Sequence, residues 1–160
     1  MHLGRVWIER HIPHQGRMCL LEEVLDWDAE RIRCRATTHR DADHPLIAHG
    51  RLGIACGIEY AAQAMAVHGA LVAGTAESGT SSAGEPLAGK PASGFLAGVR
   101  SVRLHAPRLD DVPGDLICQA VRVAGDGASA LYEFELRAQA VCLLSGRATV
   151  VLDGNRRLKL

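Results

Sequence analysis

The sequence predicts an α+β fold, an antiparallel sheet wrapped around one long central helix, in a single domain over residues 1–160. Three observations carry this. Residues 53–71 are rich in alanine, with Ile54, Ile58, Met65, Val67 and Leu71 spread around the whole helical circumference. A helix that is apolar all round must be surrounded by other structure. Segments on both sides of it alternate at the strand period. The order is two strands, the helix, then four strands with short turns. That order disfavours the βαβ alternation of a parallel sheet and favours antiparallel hairpins.

Residues 11–16 read as a turn, with Pro13 fixing φ and Gly16 ending it. Residues 18–28 are apolar and predict a strand. Residues 31–38 predict a second strand with one wet face: Arg31, Arg33 and Arg35 alternate with Ile32, Cys34 and Ala36. Residues 39–50 are polar and contain Pro45, which predicts a loop. After the helix, residues 75–91 are dense in Gly, Ser, Ala and Pro and show neither hydrophobic period. They predict a mobile loop, dispensable for folding, with little apolar area to offset the entropy of ordering. The remaining strands are predicted at 94–105, 115–123, 130–139 and 141–152, with turns at 107–114 and at Gly125-Asp126-Gly127. The third of them alternates best, with Tyr132, Phe134, Leu136 and Ala138 on one face and Glu133, Glu135, Arg137 and Gln139 on the other.

Composition narrows the function. The formal net charge is zero, which argues against a nucleic-acid surface, since that needs a strong basic bias to displace phosphate counterions. A local patch for an acidic carrier stays open. The five cysteines form no CxxC pair. Cys34, Cys56 and Cys118 lie in apolar periodic segments and read as small buried hydrophobes, which fits a reducing compartment. The N-terminal residues carry Arg5, Glu9, Arg10, His11 and Arg17 and lack the apolar stretch of a signal peptide. Uninterrupted apolar runs fall short of the roughly 18 residues a membrane span needs. The expectation is a cytoplasmic protein with no membrane partner.

The polar residues of the central helix call for a reason. Glu59 and Gln63 are four apart and share a face, whereas His68 falls about half a turn away and cannot join them. Burial raises a carboxyl's pKa unless something neutralises it. Glu59 is therefore read either as a general acid or base or as a carboxylate facing a solvent gap. His49 lies in the loop just before the helix, within reach of its N-terminal end; His44 has a weaker claim. His14, in a turn, reads as a structural hydrogen-bonding histidine. His44 and His49 lack the spacing and cysteine partners of a structural zinc site. The glycines at 50, 53 and 57 match neither dinucleotide nor Walker spacing. Ser81, Ser82 and Ser93 sit in low-complexity loop rather than on a strained elbow.

Two segments are informative as a pair. The stretch from Ile12-Pro13-His14 through Leu20-Leu21-Glu22-Glu23-Val24 resembles the opening of the beta-hydroxyacyl-ACP dehydratases. Gly57-Ile58-Glu59-Tyr60-Ala61-Ala62-Gln63 is similar to the Glu-x-x-x-Gln stretch of their central helix. Residues 94–104 are similar to the strand that follows. The likeness is nearest to the divergent branch of these dehydratases found in aryl-polyene-type pigment clusters.

The resemblance implies a hot-dog fold and an acyl-carrier-protein thioester substrate in fatty-acid or polyene-type biosynthesis. It also implies a homodimer, or a heterodimer with another hot-dog subunit, with a His–Glu pair assembled across the dimer interface. The glutamate maps onto Glu59. The main family carries its histidine in a Gly-His-Phe-Pro-Gly turn; the stretch here, Ala48-His49-Gly50-Arg51-Leu52-Gly53, lacks Phe-Pro and sets His49 closer to Glu59.

The expected reaction is loss of water from a 3-hydroxyacyl thioester, a hydro-lyase step. His49 would take the α-proton, and Glu59, kept protonated by burial, would protonate the departing hydroxyl. Backbone N–H groups around Gly53 would stabilise enolate charge on the thioester oxygen. Gln63 would position a water or the Glu59 side chain. This chemistry needs no metal or organic cofactor. Two alternatives use the same scaffold: an acyl thioesterase in which the helix carboxylate activates water, and a non-catalytic subunit of a hetero-oligomeric dehydratase.

Overall fold

The computed structural model describes residues 3–78 and 94–152. A short helix α1 (Arg5–His11) opens the chain, followed by strands β1 (Glu23–Trp27) and β2 (Arg31–Ala36). The long helix α2 (Gly57–Ser78) comes next, then β3 (Gly94–Leu104), β4 (Leu116–Gly125), β5 (Ser129–Ala138) and β6 (Val141–Leu152). The six strands form one sheet in the order β1-β2-β4-β5-β6-β3. Every pairing is antiparallel.

Alternation at period two sets which face each strand buries. In β2, Ile32, Cys34 and Ala36 are buried, and Arg33 and Arg35 turn outward to Asp26 and Glu23 of β1. In β5, Tyr132, Phe134, Leu136 and Ala138 face the core, as the sequence predicts. Helix α2 lies across β2, β4 and β5. Gly57 lets its first turn approach the sheet: a Cβ there would meet Leu144 Cδ2 at 2.7 Å and Leu136 Cδ2 at 2.8 Å.

The sheet wraps α2 incompletely. Tyr60, Ala61, Ala64, Met65, Val67 and Leu71 are buried. Ile58, Glu59, Ala62, Ala66 and Gly69 form a stripe at helical spacing that is only half-buried. The two sheet edges also differ. Alongside β1, Val24 N–H donates to Leu3 O at 2.9 Å and Gly4 bridges to Glu23, so the chain covers its own edge. The outer edge of β3 has no paired strand among the described residues. Phe95, Leu96, Val99 and Leu104 of that strand are exposed.

Several boundaries move. The helix expected over 53–71 begins as a 3-10 turn, Ile54–Cys56, and continues as α-helix to Ser78. Residues 73–76 are exposed, so the apolar pattern stops while the backbone ladder goes on. That places residues 75–78 of the predicted loop in helix; the rest of the segment up to 91 lies outside the described residues. The strand expected over 18–28 is shortened to Glu23–Trp27 because backbone groups before it bond to side chains instead of a ladder. Leu20 N–H donates to Gln63 Oε1, and Leu20 O accepts from Thr38 Oγ1. Helix α1 falls where the sequence reading assigned no element; it is held by buried Ile8 and by Trp7 stacking on His11, ring centroids 3.8 Å apart. All five cysteines are free; Cys34 and Cys118 are fully buried, whereas Cys56 is only partly so.

Candidate active site

Glu59 stands in the first turn of α2, on the half-buried stripe. Its Oε1 accepts two hydrogen bonds. One comes from Gln63 Nε2 at 3.0 Å, one turn along the helix. The other comes from His14 Nε2 at 2.9 Å, from the turn after α1. Oε2 makes no hydrogen bond among the described residues. The side chain keeps 31% of its surface exposed, and this oxygen is not buried.

Gln63 is completely buried and fixed at both ends. Its Oε1 accepts from Leu20 N–H at 2.9 Å, and its Nε2 donates to Met18 O at 2.7 Å as well as to Glu59. The amide therefore ties the segment carrying His14 to the helix carrying Glu59. His14 Nδ1 is buried without a hydrogen-bond partner among the described residues.

These contacts set the charge on Glu59. The His14 hydrogen bond holds the carboxyl below its ordinary value; burial pushes the other way, and Gln63 adds to the lowering. Glu59 is thus an ionised carboxylate near neutral pH, suited to accept a proton. The expectation that burial keeps it protonated is corrected here. The sequence could not show that a histidine far away in the chain folds onto it.

The other expected site residues fall as follows. His49 is at the tip of a tight turn closed by Ala48 N–H to Arg51 O at 3.0 Å and Arg51 N–H to Ala48 O at 3.2 Å. Its φ is +51° and that of Gly50 +75°, the left-handed pair that a two-residue hairpin of this kind requires. The ring is exposed and makes no hydrogen bond or ion pair among the described residues, so within one chain it does not join Glu59. Gly53 precedes the 3-10 turn, and its N–H has no partner among the described residues. The neighbouring Ile54 N–H is taken by Pro107 O at 3.3 Å. The site residue that sequence reasoning missed is His14. The signal was present, because the Pro13-His14 pair belongs to the segment that carries the family resemblance.

His44, given a weaker claim, is buried against Tyr60, with Nε2 3.0 Å from the Tyr60 hydroxyl. His68 sits apart from Glu59, as its spacing predicts. Its Nε2 meets Asp28 O and its Nδ1 meets the Tyr132 hydroxyl, each at 2.9 Å. Among the described residues no cluster of His, Cys, Asp and Glu has the geometry to hold a metal ion, and no helix is long and apolar enough to cross a membrane. A cleft of about 350 Å³ on the outward side of the sheet is lined by Arg103, Glu133, Glu135 and Arg147 among others. Its charges balance, Arg147 is already paired with Glu133, and it holds none of the groups around Glu59. Glu59, by contrast, keeps one carboxylate oxygen without a hydrogen bond among the described residues.

Known proteins share this fold. One solved structure, the dehydratase heterocomplex ApeI:P from Xenorhabdus doucetiae, is similar at 25% identity and a TM-score of 0.73, covering 93% of this chain and 91% of that one. A thioesterase from Haemophilus influenzae is similar in fold at 12% identity and a TM-score of 0.52, over 81% of this chain and 76% of its own. A mutant thioesterase from Pseudomonas aeruginosa is similar at 11% identity and a TM-score of 0.55, over 81% and 79%. No curated protein matches the sequence. The hot-dog architecture of the dehydratases and thioesterases is thus the fold of this chain. The ApeP-like family, described as ApeP dehydratase, matches residues 6–156, so the chain belongs to the ApeP-like dehydratases.

Proposed function

We propose that this protein removes water from a 3-hydroxyacyl thioester borne by an acyl carrier protein, in fatty-acid or polyene-type biosynthesis, with Glu59 as the proton-transfer group. The observation that carries this is the ionised carboxylate with one oxygen gripped by His14 and Gln63 and the other free. Oε2 takes the α-proton, the Cα–Cβ double bond forms, and the Cβ–O bond breaks. The proton now on Glu59 passes to the departing hydroxyl, which leaves as water. One carboxyl thus serves as base and then acid, and the atoms balance with no cofactor. The half-buried stripe of Ala62, Ala66 and Gly69 on the same helix would lie along the acyl chain. Gly53, whose N–H has no partner among the described residues, would bind the thioester oxygen.

The site is completed by a second hot-dog subunit that pairs along the open edge of β3. Exposed strand edges are liabilities unless paired or covered, and this one carries Phe95, Leu96, Val99 and Leu104 in the open. The similar structure of a dehydratase heterocomplex supports a dissimilar partner rather than a second copy. His49, on its exposed turn, contributes to catalysis only across such an interface.

The test is incubation of the chain with 3-hydroxyacyl-ACP, alone and with a dissimilar hot-dog subunit, with mass spectrometry of the carrier. Loss of one water is the expected result. The ionised Glu59 also favours a second reading, an acyl thioesterase in which Oε2 activates water. A free acid and an unloaded carrier in the same assay would establish that reading and remove the first.

A further inference from the structure

We propose that the buried chain His44–Tyr60–Thr38 is a positioning device for the Glu59 carboxylate, acting through Leu20 and Gln63; this rests on the reading of Glu59 as the reacting group. The hydrogens of the chain can be assigned one after another. Leu46 N–H donates to His44 Nδ1 at 3.1 Å, so the ring proton lies on Nε2 and is donated to the Tyr60 hydroxyl at 3.0 Å. Tyr60 has one proton to give, and it goes to Thr38 Oγ1 at 2.9 Å. Thr38 then donates to Leu20 O at 2.8 Å. On the other side of the same residue, Leu20 N–H meets Gln63 Oε1 at 2.9 Å, which turns the amide so that Nε2 reaches Glu59 Oε1.

No member can reverse without leaving a buried donor or acceptor empty. Thr38, His44, Tyr60 and Gln63 are all buried, where an unmet polar group is costly and a complete network holds a single geometry. The segment held in this way runs from the turn with His14 to Leu20. It brings His14 onto the Glu59 oxygen that Gln63 also holds and leaves the other for substrate. The groups facing His44 are His39, Asp41, Asp43 and Tyr60, and burial outweighs the two carboxylates to hold the ring below its ordinary value, neutral as the chain requires. The groups facing Glu59 are His14 and the neutral amide of Gln63.

The decisive variants are Thr38→Val, which keeps the shape and deletes the hydroxyl, Thr38→Ser, which restores it, and Tyr60→Phe. The Glu59 carboxyl carbon is titrated by NMR in each folded protein, alongside kcat and KM for dehydration. In Thr38→Val and Tyr60→Phe the Glu59 midpoint should rise, because the donors on Oε1 lose their fixed aim, and the acidic limb of the kcat profile should move up with it. The loss in kcat should be about tenfold or more with KM little changed, since a displacement of about 1 Å can cost about 10²-fold. Thr38→Ser should behave as wild type. A folded Thr38→Val, or Tyr60→Phe if the former does not fold, with the wild-type midpoint would overturn the proposal. If the wild-type protein releases no water from any 3-hydroxyacyl thioester, the functional reading falls on its own, and the titration still decides whether the network positions Glu59.

Discussion

The first turn and the middle of α2 hold polar side chains in opposite ways. At the first turn, Glu59 is half-exposed, charged, and bonded through only one of its oxygens. Two and a half turns on, His68 is wholly buried, with both ring nitrogens partnered by Asp28 O and the Tyr132 hydroxyl. The first arrangement leaves an atom for chemistry. The second leaves none and pins the helix between the β1–β2 turn and β5. A polar residue in an apolar helix is thus not by itself a sign of a site; its unspent hydrogen-bonding capacity is.

The strongest way to break this contrast is Glu59→Gln. The amide keeps the shape and removes the titrating group, so turnover should fall by about 10²–10⁴-fold, the usual share of general acid–base catalysis. The thermal midpoint should hold. Wild-type dehydration rates in this variant would remove the distinction between the two positions.

His68→Ala should do the reverse. It deletes a buried ring and leaves the Tyr132 hydroxyl and Asp28 carbonyl without their partner, at a cost of about 2–4 kcal/mol in denaturant unfolding. The activity of the remaining folded protein should be close to wild type. A variant that keeps its stability and loses turnover would place His68 in the site.

Acidity separates the two positions further. Burial lowers His68, and also His39 and His44, below the ordinary value of 6.5. The unfolded chain then binds protons that the folded one refuses, so stability falls as pH drops below about 6.5. Glu59 is lowered from 4.5, and its contribution is kept above that value and lost only as pH falls further, through the folded pKa. Unfolding free energy measured between pH 7 and 5 should therefore decline, less steeply in His68→Ala, and with the wild-type slope in Glu59→Gln. Equal slopes in wild type and His68→Ala would mean that the ring is not held neutral.

The smallest expected effect on the chain itself is that of His49→Ala. The ring is exposed and unbonded, so stability should change by less than about 0.5 kcal/mol. Dehydration by the paired complex is the sharper readout. A large loss there would show that His49 reaches a site across the interface, whereas an unchanged rate would leave Glu59 as the reacting group.

Local pattern was enough to read much of this molecule. The all-round apolarity of residues 53–71 determined the central helix, and alternation in 31–36 and 130–138 determined which face each strand buries. The four-residue spacing put Glu59 and Gln63 on one face and kept His68 off it. The paired segments around Pro13-His14 and Glu59-Gln63 carried the family. All of these are periodicities or short motifs, which the backbone geometry of a helix or strand converts directly into position.

What only the tertiary structure decided is which groups far apart in the chain meet. Gln63 reaches back 43 residues to Leu20, and that bond replaces strand pairing before β1 and sets His14 onto Glu59. The ionised state of Glu59 follows from that contact, against the burial that the helix pattern alone suggests. His49, near Glu59 in sequence, sits exposed on the turn made by the left-handed pair His49-Gly50 and does not meet Glu59 within the chain. The reason is physical: the electrostatics of a site depend on the partners within a few ångströms, and in this chain those partners are supplied by closing long loops rather than by any repeat in the sequence.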